Sequence, residues 1–267
     1  MPEETTKSEI DKEPTQTGDP LRDWWDDLRT SAGFLTRLPI PLPDTSGSLA
    51  QASRTFPLVG ALIGVAAALV YAIAVNLGLT AWLSAGLAVA AALILTGALH
   101  EDGLADLADG LGARGDAPAR LATMRDSHIG TFGVLALILV VILNVVAIGA
   151  LALPGDVAAA LIAAHAGSRA LLPWVMHRFA HARSDGLAVA AGRPSQTTAF
   201  ISLGLGALVL LVCAGPARAI AAAIAACLAV LLAPLARRLI GGITGDVLGA
   251  IETIARLAIL LALVATR

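Results

Sequence analysis

Residues 55–99 contain no charged side chain, and this run is long enough to cross a lipid bilayer twice. An apolar helix needs about 20 residues to span the hydrocarbon region. Only 14% of the residues are charged, whereas soluble domains contain about 25%. The sequence therefore predicts an all-α protein, a polytopic bundle of about seven transmembrane helices. The predicted spans are residues 58–76, 81–99, 132–153, 157–176, 197–214, 218–236 and 245–265.

Basic residues are distributed unevenly over the loops that this arrangement creates. If the N-terminus is cytoplasmic, 14 of the 18 Lys and Arg residues lie in cytoplasmic segments. Only Arg218 and Arg267 lie on the opposite side. Because basic residues concentrate on the cytoplasmic side of membrane proteins, we expect a multi-pass protein of the cytoplasmic (inner) membrane. The net charge of −2 is too small to indicate a nucleic-acid partner.

Three regions of different composition follow one another along the chain. Residues 1–20 are polar and acidic, which predicts a disordered tail and not a signal peptide. Residues 21–54 are amphipathic, with Trp24 and Trp25 near one helical face, and we expect them to lie along the membrane surface. The alternative is a linker with incidental tryptophans. Residues 55–267 form the predicted transmembrane domain, which also carries the candidate catalytic residues.

An acidic segment follows the second predicted span directly. On a helix, Asp102, Asp106 and Asp109 are four and three residues apart and lie on one face. Like charges at this spacing repel each other, and a bound divalent cation would replace the repulsion by coordination. The alternative is an interfacial amphipathic helix with solvated aspartates. Two glycines that weaken a helix, Gly103 and Gly110, and the unfavourable position of carboxylates beside an anionic leaflet favour the cation site.

A second candidate site lies at the start of the seventh predicted span, in residues 241–250. Thr244 is a candidate N-cap for that helix. The glycines, including Gly245, would allow a phosphate to approach backbone N–H groups at the positive helix end, and Asp246 would add a metal ligand. The alternative is that the glycines only allow close helix packing.

Several basic residues are candidates for binding a phosphate. Arg125 and His128 precede the third predicted span, and His128 is also a candidate general base. Arg169 lies within a span, where it would pair with Glu252 or contact a substrate phosphate. Glu252 and Arg256 are four residues apart, which favours an intrahelical ion pair. Carboxylates and arginines at one end of the predicted bundle indicate chemistry on a phosphate-bearing substrate.

Five blocks of sequence resemble the cobalamin synthase family, the adenosylcobinamide-GDP ribazoletransferases. The blocks are FLTRLPIP at 34–41, FPLVG at 56–60, GALHEDGLADLADG at 97–110, MRDSHIGTFG at 124–133 and GGITGDVLGA at 241–250. The resemblance implies a membrane-bound, Mg²⁺-dependent transferase that joins adenosylcobinamide-GDP to α-ribazole or its 5′-phosphate. Its products would be adenosylcobalamin, or adenosylcobalamin 5′-phosphate, and GMP. Formation of an oligomer is compatible with the sequence.

The resemblance, together with the positions of the polar residues, suggests roles for individual residues. The candidate Mg²⁺ ligands are Glu101, Asp102, Asp106, Asp109 and Asp246. The candidate catalytic residues are Asp106, Asp109 and His128. The candidates for substrate binding are Arg37, Arg125, Arg169, Thr244 and Gly245.

Other functions remain open on the sequence alone. CDP-alcohol phosphotransferases perform a similar reaction on other pyrophosphate substrates, but Asp106 stands where the pattern of that family has Arg. A membrane transporter would place ionisable residues near the bilayer midplane and show internal repeats, whereas the acidic block of this chain is not repeated. A non-catalytic scaffold would have no need of so many carboxylates on one helical face.

Overall fold

The computed structural model describes residues 20–43 and 47–267. The predicted disordered tail, residues 1–20, lies outside this part of the chain except for Pro20. The described residues form α-helices joined by short connections, with one 3₁₀ turn at Ser53–Thr55 and no β-strand. The predicted all-α class is therefore confirmed.

The helices agree closely with the predicted spans. Each predicted span coincides within a few residues with one helix, or with the pair α11 and α12. Pro154 and Pro216 begin new helices, at a position where the missing N–H of proline is not needed. The bounds are α1 Pro20–Leu35, α2 Leu49–Ala52, α3 Phe56–Asn76, α4 Ala81–Thr96, α5 Leu99–Gly112, α6 Ala117–Thr123, α7 Thr131–Leu151, α8 Pro154–Arg178, α9 Leu187–Ala191, α10 Gln196–Ala214, α11 Pro216–Ala229, α12 Leu232–Ile240 and α13 Gly245–Ala265.

The protein is a multi-pass membrane protein in which fewer helices than the predicted seven have the length and hydropathy of a span. Among the described residues, five helical segments are long and apolar enough to cross a membrane. α4 passes the same test only when it is taken together with α5, across a bend of 90°. The predicted number of about seven is therefore not confirmed. The helix that falls short is α8, which carries Asp156, Arg169 and Arg178 and is buried along most of its length.

A sharp bend separates α4 from α5. Gly97 and Ala98 both adopt left-handed backbone conformations, with φ of 65° and 53°, and the two helices meet at 90°. The 14 residues of α5 extend over about 21 Å, which is too short for a hydrocarbon region of about 30 Å. We therefore describe α5 as a helix outside the membrane-spanning segments.

α8 lies at the centre of the bundle, where α3, α10 and α13 pack around it. α5 packs across α13 and α7. Large apolar side chains remain on the outside of the bundle, among them Leu69, Ile94 and Val212. An apolar outer surface of this extent is typical of helices that face lipid.

The amphipathic segment before the bundle contains α1. Trp25 is exposed, whereas Trp24 lies under the guanidinium of Arg54, 4.3 Å from the ring centroid. Arg54 also donates a hydrogen bond of 2.5 Å to Asp27, so α1 is attached to the start of α3. The position of this segment along the membrane surface stays a prediction.

Candidate active site

The carboxylates of the acidic segment have three different environments. The predicted helix is present as α5, on which Asp102 is exposed and Asp106 is half-buried. Glu101 and Asp109 are buried. α7 covers Asp109, and α13 approaches the helix near Asp102 and Asp106. The four carboxylates therefore do not form one group.

Asp109 attaches α5 to the start of α7. Its carboxylate accepts hydrogen bonds from the backbone N–H groups of Gly130, at 2.7 Å, and Gly133, at 2.9 Å. Such groups have no partner within their own helix, and a negative charge is favourable at this helix end. A Cβ atom at either glycine would lie 2.4 Å from an oxygen of Asp109. The structure thus places Asp109 at a helix junction, and its role as a metal ligand and catalytic residue stays a prediction.

The start of α13 lies against α5. Thr244 is the N-cap that the sequence predicts, since its hydroxyl accepts a hydrogen bond from the N–H of Val247, and it also donates to Asp246 at 3.1 Å. A Cβ atom at Gly103 would lie 2.9 Å from the Cα atom of Asp246. Gly103, which as a helix-weakening residue favoured a cation site, therefore has a packing role. This close approach places Asp246 near the aspartates of α5.

Asp102, Asp106 and Asp246 are the carboxylate trio of this junction. Desolvation raises the pKa of Asp106 to about 6, and the negative charges of Asp102, Asp246 and Asp109 act in the same direction. Arg183 opposes this shift with its positive charge. The carboxylates of the trio therefore lie close enough to repel each other, which is the condition that a bound cation relieves.

Binding of a magnesium ion by carboxylates of this trio stays a prediction. Mg²⁺ in phosphoryl-transfer sites takes one or two carboxylates and completes its shell with water and phosphate oxygens. Among residues 20–43 and 47–267, no three His, Cys, Asp or Glu side chains converge to hold a metal ion by themselves.

A cavity of about 130 Å³ opens beside Asp102 and Asp246. Phe34 and Phe56, which stack with ring centroids 6.1 Å apart, contribute to its apolar wall. Its polar side chains are His100, Asp102, Arg183 and Asp246, and its remaining wall is apolar or glycine: Leu49, Leu99, Gly103, Leu172, Met176, Leu187, Ala188, Ala191, Gly245, Leu248 and Gly249. A mainly apolar pocket with a few charged groups is typical of a ligand-binding site.

Sequence reasoning missed Arg183, which lines this cavity. Its guanidinium lies 3.5 Å from the carboxylate of Asp246. The backbone before it pairs with Ile243, since the N–H of Ala182 donates to Ile243 at 2.9 Å. No local pattern distinguishes Arg183 from the other basic residues of its loop, because only this tertiary contact brings it to the cavity.

Three other predicted residues lie away from the cavity wall. Arg125 is exposed and binds both carboxylate oxygens of Asp185, at 2.6 and 2.8 Å. His128 is exposed, and its ring lies 2.8 Å from Asp126. Arg37 is exposed and packs against Gly97. The structure does not bring these side chains to the carboxylate trio, and their roles stay predictions.

Glu101 and Arg169 belong to a buried ionic network instead. Arg256 donates a hydrogen bond to Glu101 and lies 3.5 Å from Glu252. Arg169 donates to Glu252 at 2.6 Å, which confirms one of the two alternatives that the sequence left open. Glu101 therefore points into the bundle and not toward the trio, and its role as a metal ligand stays a prediction.

The fold and the site define a multi-pass helical membrane protein with a mainly apolar cavity that Asp102, Asp246 and Arg183 line. The family model described as cobalamin-5-phosphate synthase matches residues 27–264, and the chain belongs to this family. The family resemblance of the five sequence blocks is thereby confirmed.

Curated relatives agree with this assignment. A protein of Bradyrhizobium diazoefficiens is 46% identical over 88% of this chain and 92% of its own length. A protein of Mesorhizobium japonicum is 40% identical over the same shares, and one of Ralstonia pickettii is 37% identical over 92% of this chain and 97% of its own. All three are named adenosylcobinamide-GDP ribazoletransferase. No solved structure matches the chain.

Proposed function

We propose that this protein is an adenosylcobinamide-GDP ribazoletransferase. The observation that carries the proposal is the similarity to relatives of that name over nearly their whole length. In the proposed reaction, the 3′-hydroxyl oxygen of α-ribazole, or of its 5′-phosphate, bonds to the phosphorus that bears the cobinamide. The bond from that phosphorus to GMP breaks, and the hydroxyl proton passes to solvent. The products are GMP and adenosylcobalamin or its 5′-phosphate.

We assign the metal site to the carboxylate trio, Asp102, Asp106 and Asp246. When bound there, Mg²⁺ would neutralise the charge of the diphosphate and stabilise the departing nucleotide. The support for this assignment is that Asp102 and Asp246 line the cavity and that their negative charges act on the neighbouring Asp106. Asp109 and Glu101 contribute by fixing α5, because each is bound to a neighbouring helix.

The proposed location is the cytoplasmic (inner) membrane, with the active site facing the cytoplasm. The support is the excess of basic residues in the loops on that side, and the loop between α5 and α6 should lie there. Ala119→Cys, at an exposed position of α6 directly after this loop, would report its location in a variant without Cys213 and Cys227. We expect labelling by an impermeant maleimide in inverted membrane vesicles but not in intact cells. Labelling in intact cells only would contradict the orientation.

The test of the activity is GMP release by purified protein in lipid nanodiscs, given adenosylcobinamide-GDP and α-ribazole with and without Mg²⁺. We expect turnover that depends on Mg²⁺ and is lost in Asp106→Asn. The matched control is Asp23→Asn, which changes an exposed carboxylate of α1 and should keep the wild-type rate. Absence of GMP release from wild-type protein would contradict the proposed function. Normal turnover of Asp106→Asn would remove Asp106 from the metal site.

A further inference from the structure

The side chain of Arg183 is fixed in place but incompletely bound. Its backbone is held by the parallel pairing of residues 180–182 with Ile243. This pairing is close, since a Cβ atom at Gly242 would lie 2.5 Å from the carbonyl oxygen of Ala180. Substitution of Gly242 would therefore displace the strand-like segment that carries Arg183. The chain thus holds one arginine at a defined place beside the start of α13.

The guanidinium of Arg183 keeps a buried donor without a partner. Its side chain is 18% exposed, and within the described part of the chain its Nη1 atom is buried and has no hydrogen-bond partner. Its Nη2 atom lies 3.5 Å from Asp246, beyond the usual distance of about 2.7–3.2 Å. Its Nε atom lies 3.9 Å from Asp185. Buried donors without partners are rare in native structures and call for an explanation.

The neighbouring pair of Arg125 with Asp185, a residue in the loop of Arg183, shows what a completed arginine pair looks like. Arg125 binds both oxygens of Asp185 at 2.6 and 2.8 Å, in an exposed position. Arg183 is more buried than Arg125, yet its contact with Asp246 is longer and single. If Arg183 served only as the counter-ion of Asp246, most N–H groups of its guanidinium would have no hydrogen-bond partner. Because Arg183 also lines the cavity, an anion bound there is a candidate for the missing partner.

We infer that Arg183 binds the diphosphate of the nucleotide-activated substrate beside the carboxylate trio. This inference rests on the function proposed above and names the residue that recognises its donor substrate. The planar guanidinium presents parallel N–H groups that match phosphate oxygens. Apolar neighbours in the cavity wall, Leu172, Met176 and Leu187, limit the access of water and strengthen such hydrogen bonds. Carboxylates with a metal and an arginine would hold a diphosphate from two directions.

The experiment compares Arg183→Gln and Arg183→Lys with wild-type protein in nanodiscs. At saturating α-ribazole, we expect Arg183→Gln to raise the KM for adenosylcobinamide-GDP by roughly 10- to 100-fold, as for loss of a charged hydrogen bond. The KM of Arg183→Lys for this substrate should lie between those of wild-type protein and Arg183→Gln. Lysine keeps the positive charge but lacks the paired N–H groups of the guanidinium. The KM for α-ribazole should change less than about twofold. Arg178→Gln, an exposed arginine five residues earlier, is the matched control and should keep both KM values.

A second measurement separates this inference from the proposed function. Calorimetry with inorganic pyrophosphate and Mg²⁺ should show binding to wild-type protein, binding weakened by roughly 10-fold or more in Arg183→Gln, and a smaller loss in Arg183→Lys. If the Arg183 variants keep both the wild-type affinity for pyrophosphate and the wild-type KM for adenosylcobinamide-GDP, Arg183 serves only as a counter-ion of Asp246. That result would overturn the inference. If wild-type protein binds pyrophosphate through Arg183 but releases no GMP, the proposed function fails and the anion site stands. If Arg183→Gln does not fold, Arg183→Lys decides by both measurements.

Discussion

Arg169 donates a hydrogen bond of 2.6 Å to Glu252 and so joins α8 to α13 in the interior of the bundle. The hydroxyl of Ser168 donates to the same carboxylate oxygen at 2.9 Å. Arg256, near the second oxygen of Glu252, extends the connection to Glu101 on α5. Two positive and two negative charges therefore balance each other and connect the helix of the acidic segment to the centre of the fold.

The first prediction concerns the stability that depends on this network. Glu252→Gln leaves Arg169 and Arg256 buried without a full counter-charge, and we expect a loss of about 3–5 kcal/mol in the free energy of unfolding. Asp185→Asn is the matched control, since Asp185 is 64% exposed in its pair with Arg125. This substitution should lower the free energy of unfolding by about 1 kcal/mol or less. Unfolding by a denaturing detergent gives both values, and equal losses would contradict the buried network.

Hydropathy predicted the helices well because it depends on local composition. The predicted break at Pro154 and the N-cap at Thr244 both agree with the structure, since each depends on residues adjacent in the chain. The end of α4 was less well predicted. The left-handed residues Gly97 and Ala98 end it after Thr96, whereas hydropathy continues to residue 99.

The environments of the site residues could not be predicted in the same way. The helical spacing places Asp106 and Asp109 on one side of α5. It does not reveal that the carboxylate of Asp109 accepts hydrogen bonds from the backbone at the start of α7. Glu101 accepts a hydrogen bond from Arg256, which lies 155 residues later in the chain. Arg183 reaches the cavity through backbone pairing with Ile243. Contacts between residues this far apart leave no periodic signal in a single sequence.

The second prediction concerns the junction of α5 with α7. Gly133→Ala would place a methyl group 2.4 Å from the carboxylate of Asp109 and displace its hydrogen bonds to α7. We expect a loss of about 1–3 kcal/mol in the free energy of unfolding and a lower rate of GMP release. The matched control is Gly204→Ala on α10, where an added Cβ atom meets nothing within 4 Å.

Gly204→Ala should be neutral or stabilise the helix by up to about 1 kcal/mol, because alanine favours helices over glycine. Both variants add one methyl group to one helix, so the comparison isolates the contact with Asp109. A Gly133→Ala protein as stable and active as Gly204→Ala would show that this junction is not needed to hold α5.

The third prediction is the pH dependence of magnesium binding. The pKa of Asp106 is raised to about 6, first by desolvation and then by the neighbouring carboxylates. Mg²⁺ binds the ionised carboxylate, so protons compete with the metal below this pH and no longer compete above it. We expect the apparent affinity for Mg²⁺ to be constant at neutral pH and to fall by up to about tenfold per pH unit below about 6. Calorimetric titrations between about pH 5 and pH 8 measure this profile.

Asp106→Asn removes the titrating group and should bind Mg²⁺ weakly at every pH in this range. Asp23→Asn should keep the wild-type profile, because Asp23 is an exposed residue of α1 outside the cavity. A wild-type affinity that stays constant down to about pH 5 would contradict a ligand with this raised pKa. In that case the metal, if bound, would depend on the other carboxylates, and Asp106 would lose its place in the trio.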